Sequence, residues 1–192
     1  YIVWGEKALD FFNGIFAFAI FCPQKNELFV ARDKMGVKPF FYAERNGSFI
    51  FASELKALLC HPELKPEIDS NGISELIFLG PGRTPGSCVF KDVFELKAGF
   101  CGKFTEQGFY NTQYFGLKDT KNEDSPEEVI KKVRFLVTDS IKRQLVSDVS
   151  VGTFLSGGLD SSIISSIANQ YFNNKGEQLK TFSVTYENND KH

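Results

Sequence analysis

One seven-residue segment near the end of the chain combines glycines, hydroxyls and a single carboxylate: Ser156, Gly157, Gly158, Leu159, Asp160, Ser161 and Ser162. Adjacent glycines allow the backbone to approach a ligand and to turn N–H groups toward it. A helix that begins directly after them would point its positive end at the same place, which suits a polyphosphate. Asp160 would repel phosphate unless Mg²⁺ bridged the two groups. The segment therefore predicts a loop that binds a magnesium–polyphosphate group.

Two common phosphate-binding loops do not fit this segment. The GxxxxGK[ST] pattern needs a lysine after the glycines, and the GxGxxG dinucleotide pattern needs a different glycine spacing. The remaining pattern, SGGxDS, resembles the pyrophosphate-binding loop of the ATP pyrophosphatases, which cleave ATP between its α- and β-phosphates. A Gly-Ser C-cap, or a tight turn with a capping Asp, is the alternative that needs no ligand. Five fixed positions between an apolar stretch and an amphipathic helix favour the binding loop.

The elements around the loop are predicted in the order of a parallel βαβ unit. A strand over 149–155 leads into the loop, a helix follows it, and a second strand is predicted over 181–186. An earlier helix is predicted to begin at a capping box, with Ser125 as the N-cap, Pro126 at the first helical position and Glu128 at the third. The apolar stripe of that helix is Ile130, Val133, Val137, Ile141 and Leu145. This order predicts an α/β domain with a parallel sheet.

The first half of the sequence predicts antiparallel strands with short helices beside them. A strand over 15–21 is expected to be buried on both faces, because its apolar residues are continuous. Asn46-Gly47 predicts a type I′ hairpin turn. The other predicted strands are 28–31, 40–42, 48–52 and, more weakly, 93–104, and the predicted helices are 4–13, 54–60 and 70–79. Ser70 is the expected N-cap of the last helix and Gly80 its end.

Composition excludes several other classes of protein. The chain has 192 residues and a net charge of −2, which argues against charge-driven nucleic-acid binding. Its longest apolar run, 15–22, is too short to cross a bilayer. Four cysteines without a CxxC pair predict reduced, packed thiols rather than a zinc site. They are Cys22, Cys60, Cys88 and Cys101. Phenylalanine is in excess, with 21 residues, 15 of them before residue 105.

Several segments resemble, in the same order, those of glutamine-hydrolysing asparagine synthetases. They are 13–20, a glutaminase-domain strand; 31–42, with the pattern ARDxxGxKPxxY; 51–58, with FASExKAL; and 147–162, around the loop. The resemblance implies that 1–117 is the C-terminal part of a type-2 glutamine amidotransferase domain, an incomplete α+β antiparallel layered sandwich of the N-terminal-nucleophile hydrolase type. It makes 118–125 a linker, consistent with its polar composition. Residues 126–192 would be the N-terminal part of a synthetase domain, an incomplete α/β parallel-sheet nucleotide-binding domain.

The resemblance also implies an ATP site. Leu155 would join residues 156–162 in the loop that contacts ATP, Asp160 would hold Mg²⁺, and the backbone of Val184 would contact the adenine. The implied reaction adenylates aspartate with ATP and amidates it with ammonia from glutamine, giving asparagine, AMP, pyrophosphate and glutamate. ATP, aspartate and glutamine are therefore the expected partners, with no nucleic acid or membrane. A cytoplasmic location and a homodimer are also expected.

No glutaminase residue is assigned in this chain. The family's catalytic N-terminal cysteine would lie upstream of Tyr1, and an acidic stretch that completes the ATP and aspartate sites would follow His192, so an internal fragment is expected. Such a fragment is expected to expose phenylalanines and to be poorly soluble. For Arg32, Asp33 and Lys38, holding a hairpin or domain boundary is favoured over catalysis. Two alternatives stay open: a related amidotransferase or β-lactam synthetase-like ligase with another carboxylate acceptor, and a non-catalytic nucleotide-binding fragment.

Overall fold

The chain divides into two compact units, Tyr1–Asp119 and Thr120–His192. A computed structural model describes residues 1–80 and 82–185. The predicted linker over 118–125 includes the point where one unit gives way to the next. Its role as a linker stays a prediction.

The strands of the first unit form two antiparallel sheets. They are β1 (Ala17–Cys22), β2 (Glu27–Arg32), β3 (Phe41–Arg45), β4 (Ser48–Ala52), β5 (Phe94–Glu95), β6 (Phe100–Thr105) and β7 (Gly108–Gln113). One sheet has the order β1-β2-β6-β7 and the other β4-β3-β5. The prediction of antiparallel strands is confirmed, but β7 was not predicted, because its mostly polar residues show no apolar alternation. Asn46 (φ 49°) and Gly47 (φ 75°) turn β3 into β4 as the hairpin signal predicted.

Aromatic side chains fill the space between the two sheets. Val30 of β2 is fully buried and belongs to the same core as Tyr42 of β3. The ring of Phe49 on β4 lies 5.3 Å from that of Phe104 on β6, and 4.7 Å from that of Phe109 on β7. Rings at such distances add packing energy beyond the area that they bury. The phenylalanine excess in this half of the sequence therefore supplies a core shared by both sheets.

The outer face of each sheet is covered by short helical segments. Side chains alternate along β2, so Phe29 points away from Val30 and packs against Leu9 of a 3₁₀ helix, Gly5–Phe11. Ala43 of β3 packs against Leu58 of helix α1 (Leu55–Leu58) on the far side of the second sheet. The first unit is thus layered as helical segment, sheet, sheet and helical segment.

Two local predictions for the first unit are wrong. Helix α2 (Ser70–Ser74) is capped by Asp69 rather than Ser70, since the Asp69 carboxylate accepts a 2.9 Å hydrogen bond from the N–H of Gly72. Strand β1 is half-buried rather than buried on both faces, because it lies at the edge of its sheet, and Phe21 is 58% exposed. Exposed phenylalanines are present as predicted, among them Phe78 at 81%, whereas poor solubility stays a prediction.

The second unit contains helix α3 (Pro126–Gln144), strand β8 (Gly152–Phe154), helix α4 (Leu159–Asn173) and strand β9 (Lys180–Phe182). Strands β8 and β9 pair in parallel, as the βαβ prediction requires. The hydrogen-bonded ladder between β8 and β9 has three residue pairs, so both strands are shorter than the predicted 149–155 and 181–186. Residue 186 lies outside the described residues.

The capping box predicted at the start of α3 is present, since Ser125 and Glu128 bond to each other's backbone N–H groups. The apolar stripe of α3 is buried only beyond its C-terminal end, where Leu145 packs with Ala168 and Phe172 of α4. Nearer the start, Ile130 is 61% exposed. Within residues 1–80 and 82–185, none of the helices has the length and apolar character needed to cross a bilayer.

Candidate functional site

The predicted phosphate-binding loop connects the end of β8 to the start of α4. Its first residue, Leu155, is held by two hydrogen bonds, one to the backbone of the last residue of β9 and one from the side chain of the residue after it. The N–H of Leu155 donates to the carbonyl of Phe182 at 2.8 Å, and the hydroxyl of Ser183 donates to the carbonyl of Leu155 at 2.7 Å. The loop therefore leaves the sheet from a fixed starting point, at the carboxyl edge where ligands of parallel sheets bind.

The two glycines of the loop have different conformations and different roles. Gly157 has a φ of +85°, which residues with a Cβ rarely adopt. Gly158 has an ordinary extended conformation (φ −76°, ψ 163°) and is the N-cap of α4. Because glycine has no side chain to cap the helix, the leading N–H groups of this 15-residue helix could bind an anion.

Three serine hydroxyls surround the glycines. The hydroxyls of Ser156 and Ser161 lie 3.0 Å apart and are hydrogen-bonded to each other. Ser161 and Ser162 also donate to the carbonyl of Gly158, at 3.0 and 2.8 Å. These hydroxyls thus form hydrogen bonds within the loop itself. A bound anion would have to replace the present acceptors of these hydroxyls with its own oxygens.

Asp160 is the second residue of α4 and is exposed. A negative charge in the first turn is favourable, because it faces the positive end of the helix dipole. Among the described residues, no three His, Cys, Asp or Glu side chains form a metal cage. A single carboxylate beside a phosphate-binding loop nevertheless fits Mg²⁺, which is commonly held by one carboxylate, water and substrate phosphates.

Val184 follows β9 by two residues and its side chain is 77% exposed, so it does not belong to a packed core. It lies at the carboxyl end of β9, as the loop does at that of β8. Sequence reasoning singled out Val184 but missed its neighbour Ser183, whose hydroxyl holds Leu155. A serine directly after a short strand that pairs with the strand leading into a glycine-rich loop is the signal that could have found it.

Arg32 and Asp33 in the first unit make structural contacts. Arg32 donates to the carbonyls of Lys38 and Leu96, at 2.7 and 2.6 Å, and forms a 3.0 Å ion pair with Glu95. Since β2 and β5 belong to different sheets, this side chain links them. These contacts are structural, as favoured for Arg32, but they connect the two sheets rather than a hairpin or a domain boundary.

The carboxylate of Asp33 is 1% exposed and accepts four backbone N–H groups, which are those of Phe16, Met35, Val37 and Lys38. Burial alone would raise the pKa of Asp33, but these donors outweigh it and lower the pKa below its usual value. Asp33 therefore fixes the turn that follows β2.

All four cysteines are free thiols, as predicted, but Cys60 is exposed rather than packed. Burial raises the pKa of Cys88 and of Cys101, which is the opposite of what a nucleophilic thiolate needs.

Comparisons with protein families divide the chain at a similar place. Residues 1–115 match the family model described as "Glutamine amidotransferase domain", and residues 132–192 match the one described as "Asparagine synthase". The second match includes the whole loop.

Several curated proteins are similar to the chain. Asparagine synthetase [glutamine-hydrolyzing] 3 of Bacillus subtilis (strain 168) is 47% identical over 100% of the chain, which covers 31% of that protein. Putative asparagine synthetase [glutamine-hydrolyzing] 2 of Methanocaldococcus jannaschii is 35% identical over 95% of the chain and 36% of its own length. The chain thus spans about a third of the length of these relatives. Because the first model matches more than half of its residues, this chain belongs to the glutamine amidotransferase domain family, and its second part is similar to asparagine synthase.

Proposed function

We propose that this chain supplies the ATP-binding loop, and part of the amidotransferase domain, of a glutamine-dependent asparagine synthetase. The complete reaction adenylates the side-chain carboxylate of aspartate with ATP, and ammonia from glutamine then displaces AMP to give asparagine. The observation that supports this most directly is the conformation of the loop. Gly157 has a positive φ, and the first turn of α4 has no capping side chain. Location in the cytoplasm and assembly into a homodimer are parts of the same proposal.

The proposed roles follow from the contacts of each residue. The N–H groups at the start of α4 and the hydroxyls of Ser156, Ser161 and Ser162 hold the β- and γ-phosphates, which leave as pyrophosphate. Leu155 and the backbone of Val184 lie at the two strand ends and border the nucleoside. Asp160 would hold Mg²⁺. When bound, Mg²⁺ offsets the negative charge that develops on the leaving pyrophosphate.

The domain assignment is proposed on the same basis. Residues 1–117 would be the C-terminal part of an amidotransferase domain of the N-terminal-nucleophile hydrolase type, and 118–125 a linker. Residues 126–192 would begin an α/β nucleotide-binding domain. The layered antiparallel sheets and the parallel β8–β9 pair support this division. No residue of the chain is proposed to hydrolyse glutamine.

Equilibrium binding of ATP to the chain, with and without Mg²⁺, tests the proposal. Asp160→Asn should remove most of the Mg²⁺-dependent gain in affinity, a loss of about tenfold or more, since one charged ligand of the metal is lost. Asp148→Asn is a matched control, because Asp148 is an exposed acid of the same unit that precedes β8. Equal losses in the two variants would contradict the role of Asp160. Absence of ATP binding by the unaltered chain would contradict the proposed ATP-binding loop and would favour an inert fragment.

A further inference from the structure

Two pairs of hydroxyl groups join residues before the loop glycines to residues of α4. The Ser156–Ser161 pair lies within the loop and is exposed. The second pair lies further back, where the hydroxyls of Thr153 on β8 and Ser165 on α4 are 2.9 Å apart and hydrogen-bonded. The Thr153–Ser165 pair thus connects two elements on either side of the loop without belonging to it.

The Thr153–Ser165 pair is buried, with side chains 9% and 7% exposed. Thr153 is the one buried residue of β8, so it is the strand's side chain that faces α4. A valine would fill almost the same volume without a hydroxyl. A buried hydroxyl needs a partner, and among the described residues every buried side-chain nitrogen or oxygen has one. The pair therefore adds a directional contact where an apolar contact would suffice for packing.

A directional contact limits how far α4 can slide along β8. Apolar side chains tolerate small shifts, whereas O–H···O bonds are confined to about 2.5–3.0 Å. Ser165 lies four residues after Ser161, about one helical turn, so both hydroxyls lie on the same face of α4. Sliding of the helix would therefore move Ser161 and the leading N–H groups relative to Gly157.

We propose that Thr153 and Ser165 are positioning residues for the polyphosphate loop. Their hydrogen bond sets the axial position of α4 on β8, so that the glycine backbone and the helix N-terminus are aligned before the anion arrives. Neither residue is a proposed ligand contact, and the effect on binding is through preorganisation. This inference rests on the proposed ATP-binding function.

Thr153→Val tests the inference because it keeps the shape of the side chain and removes only the hydroxyl. Affinity of the chain for MgATP should fall about five- to tenfold, the equivalent of one ordinary hydrogen bond, and Thr153→Ser should restore it to within about twofold. Amide hydrogen exchange of residues 157–160 in the free protein should accelerate by a similar factor. Ser165→Ala should reproduce both effects, and the double variant should bind no more weakly than either single one.

Phe172→Leu is the matched control, because Phe172 is a buried residue at the other end of α4. It should lower the melting temperature and leave both MgATP affinity and loop exchange unchanged. Parent-like affinity and exchange in Thr153→Val would overturn the positioning role. If the unaltered chain binds no MgATP, the proposed function fails, and the exchange measurement still decides whether the pair orders the loop.

Discussion

Alanine substitution at the two adjacent glycines of the loop should have unequal effects. The Gly157 backbone has a φ of +85°, and a Cβ placed there would meet no described atom within 4 Å. Crowding is therefore excluded as a cause, and backbone strain alone decides the cost. Positive φ costs an L-residue roughly 1–2 kcal/mol, so Gly157→Ala should lower the free energy of unfolding of the second unit by that amount.

Gly158→Ala provides the comparison within the same loop. Its φ of −76° suits any residue, and the added Cβ would lie at an ordinary 3.6 Å from the Ser156 hydroxyl. Gly158→Ala should lower the free energy of unfolding by a few tenths of a kcal/mol, because alanine is a poorer N-cap than glycine. For a unit of this size, 1 kcal/mol corresponds to about 4–8 °C in melting temperature, so the variants should be clearly separable.

Thermal unfolding followed by circular dichroism, together with MgATP titration, is the appropriate assay. If the loop relaxes instead of bearing the strain, Gly157→Ala keeps its stability but loses affinity, because the N–H groups turn away from the phosphates. Either result supports the assigned backbone conformation. Equal melting temperatures and equal affinities for the two variants would refute it.

Three further predictions concern side chains. Asp33→Asn should lower the free energy of unfolding by roughly 2–4 kcal/mol, because the NH₂ group of asparagine would face buried backbone N–H donors. Since folding lowers the pKa of Asp33, the stability of the parent should fall as pH drops below about 3.8. Urea titrations should show a flatter pH dependence in the variant. Burial raises the pKa of Tyr114 from its ordinary value of 10.0 to about 12, so the folded protein should lose stability as pH rises from 10 to 12. Tyr114→Phe should flatten this pH dependence and should lower the free energy of unfolding by about 1 kcal/mol, because the hydrogen bond to the Arg32 carbonyl is lost. Ser183→Ala should weaken MgATP binding severalfold by freeing the Leu155 carbonyl, as isothermal titration would show; unchanged binding would contradict this role.

Features that depend on a few adjacent residues could be predicted from the sequence. The hairpin turn at Asn46-Gly47 and the capping box at Ser125 follow from local backbone stereochemistry and were confirmed. The loop pattern is likewise local, and its glycine conformation agrees with a binding loop. The parallel pairing of β8 with β9 followed from the order of elements.

Features that depend on distant partners could not be predicted. The hydroxyls of Thr153 and Ser165 are separated by 12 residues, and each is unremarkable in its own segment. Arg32 was expected to hold a hairpin or a domain boundary, but it forms an ion pair with Glu95 in β5 of the other sheet and donates to the carbonyl of Leu96, which directly follows that strand. The position of β1 at a sheet edge depends on which strands pair, and an apolar run alone does not reveal that.

The long reach of the contacts in the first unit has a consequence for folding kinetics. The Tyr114 hydroxyl bonds to a carbonyl 82 residues earlier, and β6 pairs with β2 across a comparable separation. Loops of this length must close before such contacts form, so the first unit should fold slowly. The second unit is dominated by helices and a short βαβ unit, whose contacts are closer in sequence, so it should fold faster. Unpaired, phenylalanine-rich strands remain exposed meanwhile and favour association between chains. Refolding yield should therefore fall steeply as protein concentration rises.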